Sequence, residues 1–248
     1  MNLKGKTAIV TGGGRDIGRA CVMALAEAGA NVAINYFASS AGAESAVEEI
    51  KAKGGKAFAL QGDMTSQEDV TALVDKTVAE FGGIDIVMPI TGGLVARKKV
   101  AEITPEFWQN VFDLNVTSAF LITQSALPHM RPGGAIVNMA SQAGRDGGGP
   151  GAMAYATSKG AVMTMTRGMA KELAPDIRVN ALCPGMIDTD FHNTFTKPEV
   201  REHVAGVTPL KREGSSEEVA NLAVFLASEQ SAYMTGACVD INGGLFFS

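Results

Sequence analysis

Thr7 to Gly18 reads TAIVTGGGRDIG. A short apolar run enters a cluster of glycines, and a helical pattern begins directly behind it. An apolar run without polar alternation suits a strand buried on both faces, as in a parallel sheet. A strand that ends in Gly12, Gly13 and Gly14 and re-enters a helix near Gly18 brings backbone N–H groups and a helix N-terminus toward one point, where an anion such as a phosphate is stabilised. A strict G-x-G-x-x-G spacing is absent, because position 17 is Ile. The strand–turn–helix context therefore carries the reading.

The same alternation continues along the chain. After TAIVTG come a helix over Ile17–Ala28 stopped by Gly29, a strand NVAINY, a helix over Ala43–Lys53 stopped by Gly54 and Gly55, a strand KAFALQGD and a helix over Gln67–Phe81. IDIVMPI, a long helix over Pro105–Met130, GAIVNMAS, a helix over Tyr155–Leu173, IRVNALCPG, a helix over Glu217–Ala227 and CVDINGG complete the pattern. Strict strand–helix alternation predicts an α/β chain: one doubly wound parallel sheet with helices on both faces. No linker or repeat divides residues 1–248, so a single domain is expected. In such sheets ligands lie beyond the carboxyl ends of the strands. Gly12, Asp63, Gly92, Ser141 and Pro184 each follow a strand, so all fall on that edge.

Composition narrows the function classes. The hydrophobic share is 46%, which is enough for a substantial core. No apolar run reaches the length of a membrane span, and the N-terminus has no secretory-signal pattern. Three scattered cysteines suggest neither a disulfide framework nor a zinc site, and the three histidines lie far apart, so no metal is expected. A reducing, cytoplasmic location follows. The net charge of −5, with no basic block, argues against nucleic acid as a partner.

The run YATSK places Tyr155 and Lys159 four residues apart, on one face of a helix. A free phenol titrates near 10, and a neighbouring ammonium is expected to bring it closer to neutral pH. Such a tyrosine can donate a proton to a carbonyl oxygen as hydride reaches the carbon. Ser141 is a candidate to bind that oxygen, and Asn115 to anchor a water that resupplies the proton. With the phosphate turn, the set predicts reduction of a small-molecule carbonyl by a nicotinamide cofactor. No acidic residue occurs from Asn35 to Ser40, where a carboxylate would hold the ribose diol of NAD. Arg15, with Ser39 and Ser40, can instead meet a 2′-phosphate. NADPH is favoured, with NADH possible.

These motifs together resemble the short-chain dehydrogenase/reductase family over nearly the whole chain. TGGGRDIG matches its T-G-x-x-x-G-x-G turn except at one place, and Asn115, Ser141, Tyr155 and Lys159 match its four catalytic positions. The resemblance implies cofactor contacts from Thr11, Gly12, Gly14, Arg15, Ile17, Gly18, Asp63, Met64, Gly92, Tyr155 and Lys159, with Asp63 on the adenine. PGMIDT implies further contacts at the nicotinamide end from Pro184, Gly185, Ile187 and Thr189. TGACVDINGG resembles the C-terminal strand that takes part in a tetramer interface, so a homotetramer is implied.

Two departures stand out. Asp16 replaces the middle glycine of the turn, and Pro89-Ile90-Thr91-Gly92 replaces the usual N-N-A-G. Asp tolerates unusual φ better than most residues, so its side chain is expected to aim outward. Pro89 lacks a donor N–H.

For the substrate, Gln142 and Arg145 follow Ser141, and Arg97, Lys98 and Lys99 follow the fourth strand. Basic side chains there suggest an acidic substrate. The loops SQAGRDGGGPG and FHNTFTKPEVREHVAG also resemble those of reductases acting on the 4-deoxy-5-hexoseulose uronate released from alginate. The alternative within the family is a 3-oxoacyl-ACP reductase. The alternative of another class is a cofactor-binding sensor without turnover. Residues 186–212 are expected to form a lid, with Phe191, His192, Phe195 and Lys197 toward the substrate.

Overall fold

Seven strands, β1 (Thr7–Thr11), β2 (Asn31–Tyr36), β3 (Ala57–Gln61), β4 (Ile84–Pro89), β5 (Met130–Met139), β6 (Ile177–Pro184) and β7 (Cys238–Ile241), form one parallel sheet in the order β3-β2-β1-β4-β5-β6-β7. The computed structural model describes every residue, Met1–Ser248. Strand order reverses direction between β1 and β4, which opens a crevice at their carboxyl ends. The helices are α1 (Asp16–Glu27), α2 (Ser40–Ala52), α3 (Gln67–Phe81), α4 (Pro105–Phe112), α5 (Ser118–Ala126), α6 (Ala143–Asp146), α7 (Met153–Leu173), α8 (Asp190–Phe195), α9 (Pro198–Val207) and α10 (Ser216–Ala227). No helix is long and apolar enough to cross a membrane.

The strands lack polar alternation because both faces are covered. Every residue of β1 is buried. Ala8 and Val10, with Val32 and Ile34, pack with Cys21, Leu25 and Ala46 of α1 and α2 and Leu226 of α10. Ile9 and Ala33, one residue out of phase, pack on the opposite face with Leu73, Val74, Ile122 and Ala170 of α3, α5 and α7. Period-two geometry thus divides each strand between two cores. The glycine stops act as read: α3 opens on Ser66, whose hydroxyl accepts the Asp69 N–H, and closes on Gly82 at φ +76.

One expected element is corrected. The helix over Pro105–Met130 is broken into α4, a π turn over Asp113–Thr117, α5 and a 3₁₀ turn over Leu127–His129. The Asn115 side chain explains the first break. Its amide donates to Val111 O one turn back (2.9 Å) and to Gly93 O on another loop (2.8 Å), competing with the regular ladder. Pro128 accounts for the second, since it has no N–H to continue the helix. β5 consequently starts at Met130 rather than Gly134.

Candidate active site

The carboxyl edge of the sheet opens into a cleft of about 1040 Å³. At one end lies the phosphate turn. Gly12 has φ +64, and a Cβ on Gly14 would lie 2.6 Å from Ser39 O. A Cβ on Gly18 would lie 2.1 Å from Gly12 O, so only glycine lets α1 start this close under the turn. Asn35, a buried amide that the sequence reading passed over, organises this end. It accepts the Gly12 N–H (3.3 Å) and donates to Gly62 O (2.9 Å), joining three strand ends. A polar residue at a buried position of a largely apolar strand was the available signal.

Gly12, Gly14, Arg15, Ile17, Gly18, Asp63, Met64, Gly92, Pro184, Gly185, Ile187 and Thr189 all line the cleft. Thr11 does not. It is buried, and its hydroxyl accepts the Thr91 N–H at 3.2 Å. This contact ties the end of β4 to β1 just beyond Pro89, where proline itself offers no donor. Asp63 accepts both the N–H and the hydroxyl of Thr65, at 2.8 and 2.7 Å. Arg15 is 62% exposed beside the turn, and no carboxylate stands at the end of β2. Asp16 takes up the left-handed conformation at φ +48, and it lines the cleft, with its Oδ1 accepting the Asp190 N–H at 3.1 Å.

Further along the cleft, β5 delivers Ser141 and α7 delivers Tyr155 and Lys159. The Lys159 ammonium is buried, donates to Met139 O (2.7 Å) and lies 5.7 Å from the centre of the Tyr155 ring. Burial lowers its pKa to about 8, opposed by the Cys183 thiol. Enclosure by protein pushes the Tyr155 phenol up to about 12, opposed by the nearby Ser141 hydroxyl. The phenol therefore does not drift toward neutral pH as expected: desolvation outweighs the Ser141 hydrogen bond. A Cβ on Gly92 would lie 2.7 Å from Asn115 Oδ1 and 3.1 Å from Lys159 Nζ.

Asn115 sits behind the cleft wall. Besides its two donor bonds, its Oδ1 accepts the Gly93 N–H at 3.0 Å. Its side chain pins the Gly92–Gly93 backbone.

The predicted substrate residues separate. Gln142 lines the cleft. Its Nε2 donates to Asp146 (2.9 Å), while its buried Oε1 has no protein partner. Arg145 turns away from the cleft, which corrects the expectation that it faces substrate. Its guanidinium donates to Asp240 Oδ1 (2.8 Å) and Cys238 O (2.6 Å), because a partly buried cation needs those acceptors. Arg97 reaches the wall but donates to Phe195 O (2.8 Å) and Pro150 O (2.9 Å). Lys98 lies over the Phe107 ring at 4.6 Å. Phe191 meets Tyr155 with ring centres 5.8 Å apart and Phe195 at 5.3 Å. His192 adds a ring whose Nδ1 is 2.9 Å from Thr196 Oγ1. Burial and the Arg201 charge lower its pKa to about 4, so it is neutral at physiological pH.

The glycine cradle, the long cleft and the serine–tyrosine–lysine convergence match comparisons with known proteins. A family model described as enoyl-(acyl carrier protein) reductase matches residues 12–246. The 3-oxoacyl-[acyl-carrier-protein] reductase of Staphylococcus aureus is 37% identical over 244 residues, covering 97% of this chain and 98% of that one. A short-chain dehydrogenase/reductase from Serratia marcescens superposes with a TM-score of 0.93 at 34% identity, covering 99% of both chains. The chain belongs to the short-chain dehydrogenase/reductase family. Another structure, a short-chain dehydrogenase from Burkholderia cenocepacia in complex with NADP, has a TM-score of 0.92 at 32% identity, covering 99% of both chains. As in other short-chain dehydrogenases/reductases, the cleft is a site for NAD(P)H. Its glycine positions leave room where any Cβ would intrude.

Proposed function

We propose that this short-chain dehydrogenase/reductase reduces a neutral ketone with an apolar flank, the 3-oxoacyl thioester being the favoured substrate class, with NADPH preferred over NADH. The observation that carries the substrate reading is the wall facing Tyr155. Phe191 meets the Tyr155 ring and Phe195 packs on Phe191, while Leu94, Leu114, Val200 and Val204 line the same cleft. The basic side chains that would recognise an acidic uronate are engaged elsewhere: Arg145 with Asp240, and Arg97 with two backbone carbonyls. The partly buried Arg145 guanidinium, already satisfied by protein acceptors, gives little to a substrate carboxylate, and the exposed Arg97 on the cleft wall has N–H groups committed to Phe195 O and Pro150 O. The S. aureus relative, a 3-oxoacyl reductase by name, supports the same choice.

The bound cofactor supplies the hydride. Gly12, Gly14, Ile17 and Gly18 take its diphosphate, Asp63 and Met64 its adenine end, and Pro184, Gly185, Ile187 and Thr189 its nicotinamide end. Arg15, with no competing carboxylate after β2, favours a 2′-phosphate. Tyr155 donates its phenolic proton to the carbonyl oxygen, and the Ser141 hydroxyl donates a hydrogen bond to that oxygen. The Lys159 ammonium steadies the phenolate left behind. Asn115 positions Gly92 and Gly93, which keep the cofactor side of the cleft open. Residues 186–212 act as a lid that brings Phe191 over the reacting carbonyl.

Initial rates with a short 3-oxoacyl thioester and with the alginate-derived keto uronate, each run with NADPH and NADH, test this reading. The thioester with NADPH is expected to give kcat/KM at least about tenfold above the uronate, the difference of roughly 1.4 kcal/mol that losing a few apolar contacts produces. Faster turnover of the uronate overturns the substrate reading, and faster turnover with NADH overturns the cofactor preference.

The chain is also proposed to assemble as a homotetramer. β7 is an edge strand, and Tyr233 and Phe247 stand exposed in the C-terminal region that follows β6. Bare edges and large exposed apolar groups favour pairing with another copy. Light scattering is expected to return four times the 25.7 kDa chain mass; a monomer mass would exclude this assembly.

A further inference from the structure

Asp16 holds a backbone conformation, φ +48, that glycine adopts without strain. Its side chain crosses to the lid: Oδ1 accepts the backbone N–H of Asp190 at 3.1 Å, between residues 174 positions apart in the chain. That N–H is the first of α8. The residue before it, Thr189, makes no side-chain cap, because its hydroxyl donates back to Ile187 O at 3.1 Å. A short helix without a local cap thus receives one from the phosphate turn. Arg15 lies 3.9 Å from Asp16 Oδ2 and 3.9 Å from Asp190 Oδ2, one cation between two carboxylates. α8 in turn carries Phe191 against Tyr155.

We propose that Asp16 is a positioning residue that latches α8 of the lid to the phosphate turn, and that its carboxylate also weakens retention of the dinucleotide there. The second half rests on the cofactor reading given above. One side chain then has two effects. It orders the aromatic wall of the substrate end, and it places a negative charge beside the site of an anionic diphosphate while drawing Arg15 toward itself. A carboxylate beside an anion raises the free energy of the bound state. Cofactor exchange is accordingly faster than a glycine at this position would allow.

Two variants separate the effects. Asp16→Gly relieves the backbone and removes both cap and charge. Asp16→Asn tolerates the left-handed conformation, keeps an acceptor oxygen and removes only the charge. Amide hydrogen exchange over residues 190–195, measured without cofactor, reads the latch. In Asp16→Gly it is expected to rise about fivefold, the effect of losing a helix cap, and in Asp16→Asn to stay at the parent rate. NADPH binding, followed by the fluorescence of the reduced cofactor, reads the charge. Both variants are expected to bind about fivefold more tightly at low ionic strength, the gain shrinking as salt is added. Unchanged exchange in Asp16→Gly overturns the latch. Equal or weaker NADPH binding by both variants overturns the second effect. A parent protein that binds no NADPH at all sinks the cofactor reading and the second effect with it, while exchange at α8 still decides the first.

Discussion

Replacing Tyr155 by Phe is expected to lower kcat/KM for carbonyl reduction by about 10³-fold, the usual contribution of a positioned general acid, while the Kd for NADPH stays at the parent value. The substitution removes one oxygen. The ring keeps its packing against Phe191 and its place 5.7 Å from the Lys159 ammonium, so no cavity opens and the cleft keeps its shape. What disappears is the proton that must reach the carbonyl oxygen as hydride reaches carbon. Stopped-flow absorbance at the reduced-cofactor band, together with a binding titration, separates the two quantities. Retained binding with lost turnover identifies an enzyme whose acid is Tyr155. Activity equal to the parent would remove Tyr155 from the chemistry, and binding without turnover in the parent itself would mark a sensor.

The pH profile of the parent carries the same assignment. With the phenol pushed up to about 12, Tyr155 is protonated, the form needed for reduction, across the physiological range. Lys159 loses its charge near pH 8. The reductive rate is therefore expected to be level through neutrality and to fall with an apparent pKa of about 8, as the charge that steadies the new phenolate is lost.

Lys159→Met is expected to abolish reduction and yet stabilise the fold. Holding the ammonium out of water lowers its pKa from 10.5 to about 8, which corresponds to roughly 3 kcal/mol against the folded state at neutral pH. Methionine fills a similar volume without a charge. The lost bond to Met139 O takes back about 1–2 kcal/mol, leaving a net gain of about 1–2 kcal/mol, or roughly 2–6 °C in Tm for a chain of this size. The folded-state value lies below the unfolded one, so between pH 8 and 10.5 the unfolded chain holds more protons than the folded protein. Parent stability therefore rises with pH across that window through this group, and in Lys159→Met that component of the rise is absent. Denaturant titrations of both proteins at pH 7 and 10 measure the difference. A variant less stable than the parent at pH 7 would show that Lys159 is held by more than its single bond to Met139 O.

Much of this arrangement was legible in the chain. The seven strands, their parallel pairing and the glycine stops follow from periodicity and local backbone chemistry. The meeting of Tyr155 and Lys159 is set by the four-residue spacing of one helix. Ser141 joins them because both strand ends and helix starts in a doubly wound sheet face one edge. Even the tolerance of Asp16 for a left-handed backbone could be read from its residue type.

The long polar side chains were not legible in that way. Arg145 is three residues from Gln142 and four from Ser141, yet its partner Asp240 is 95 positions distant. Arg97 finds Phe195 O across 98 positions, and Asn115 finds Gly93 across 22. Each side chain goes to whichever acceptors or donors the packed fold leaves unpaired, because a buried polar group without a partner is far less stable than one with a partner. Those vacancies come into existence only when distant segments pack together. Short-range spacing therefore determined the sheet, the edge and the acid–base pair, whereas the choice between an acidic and an apolar substrate wall rested on where two guanidinium groups found oxygen once the chain was folded.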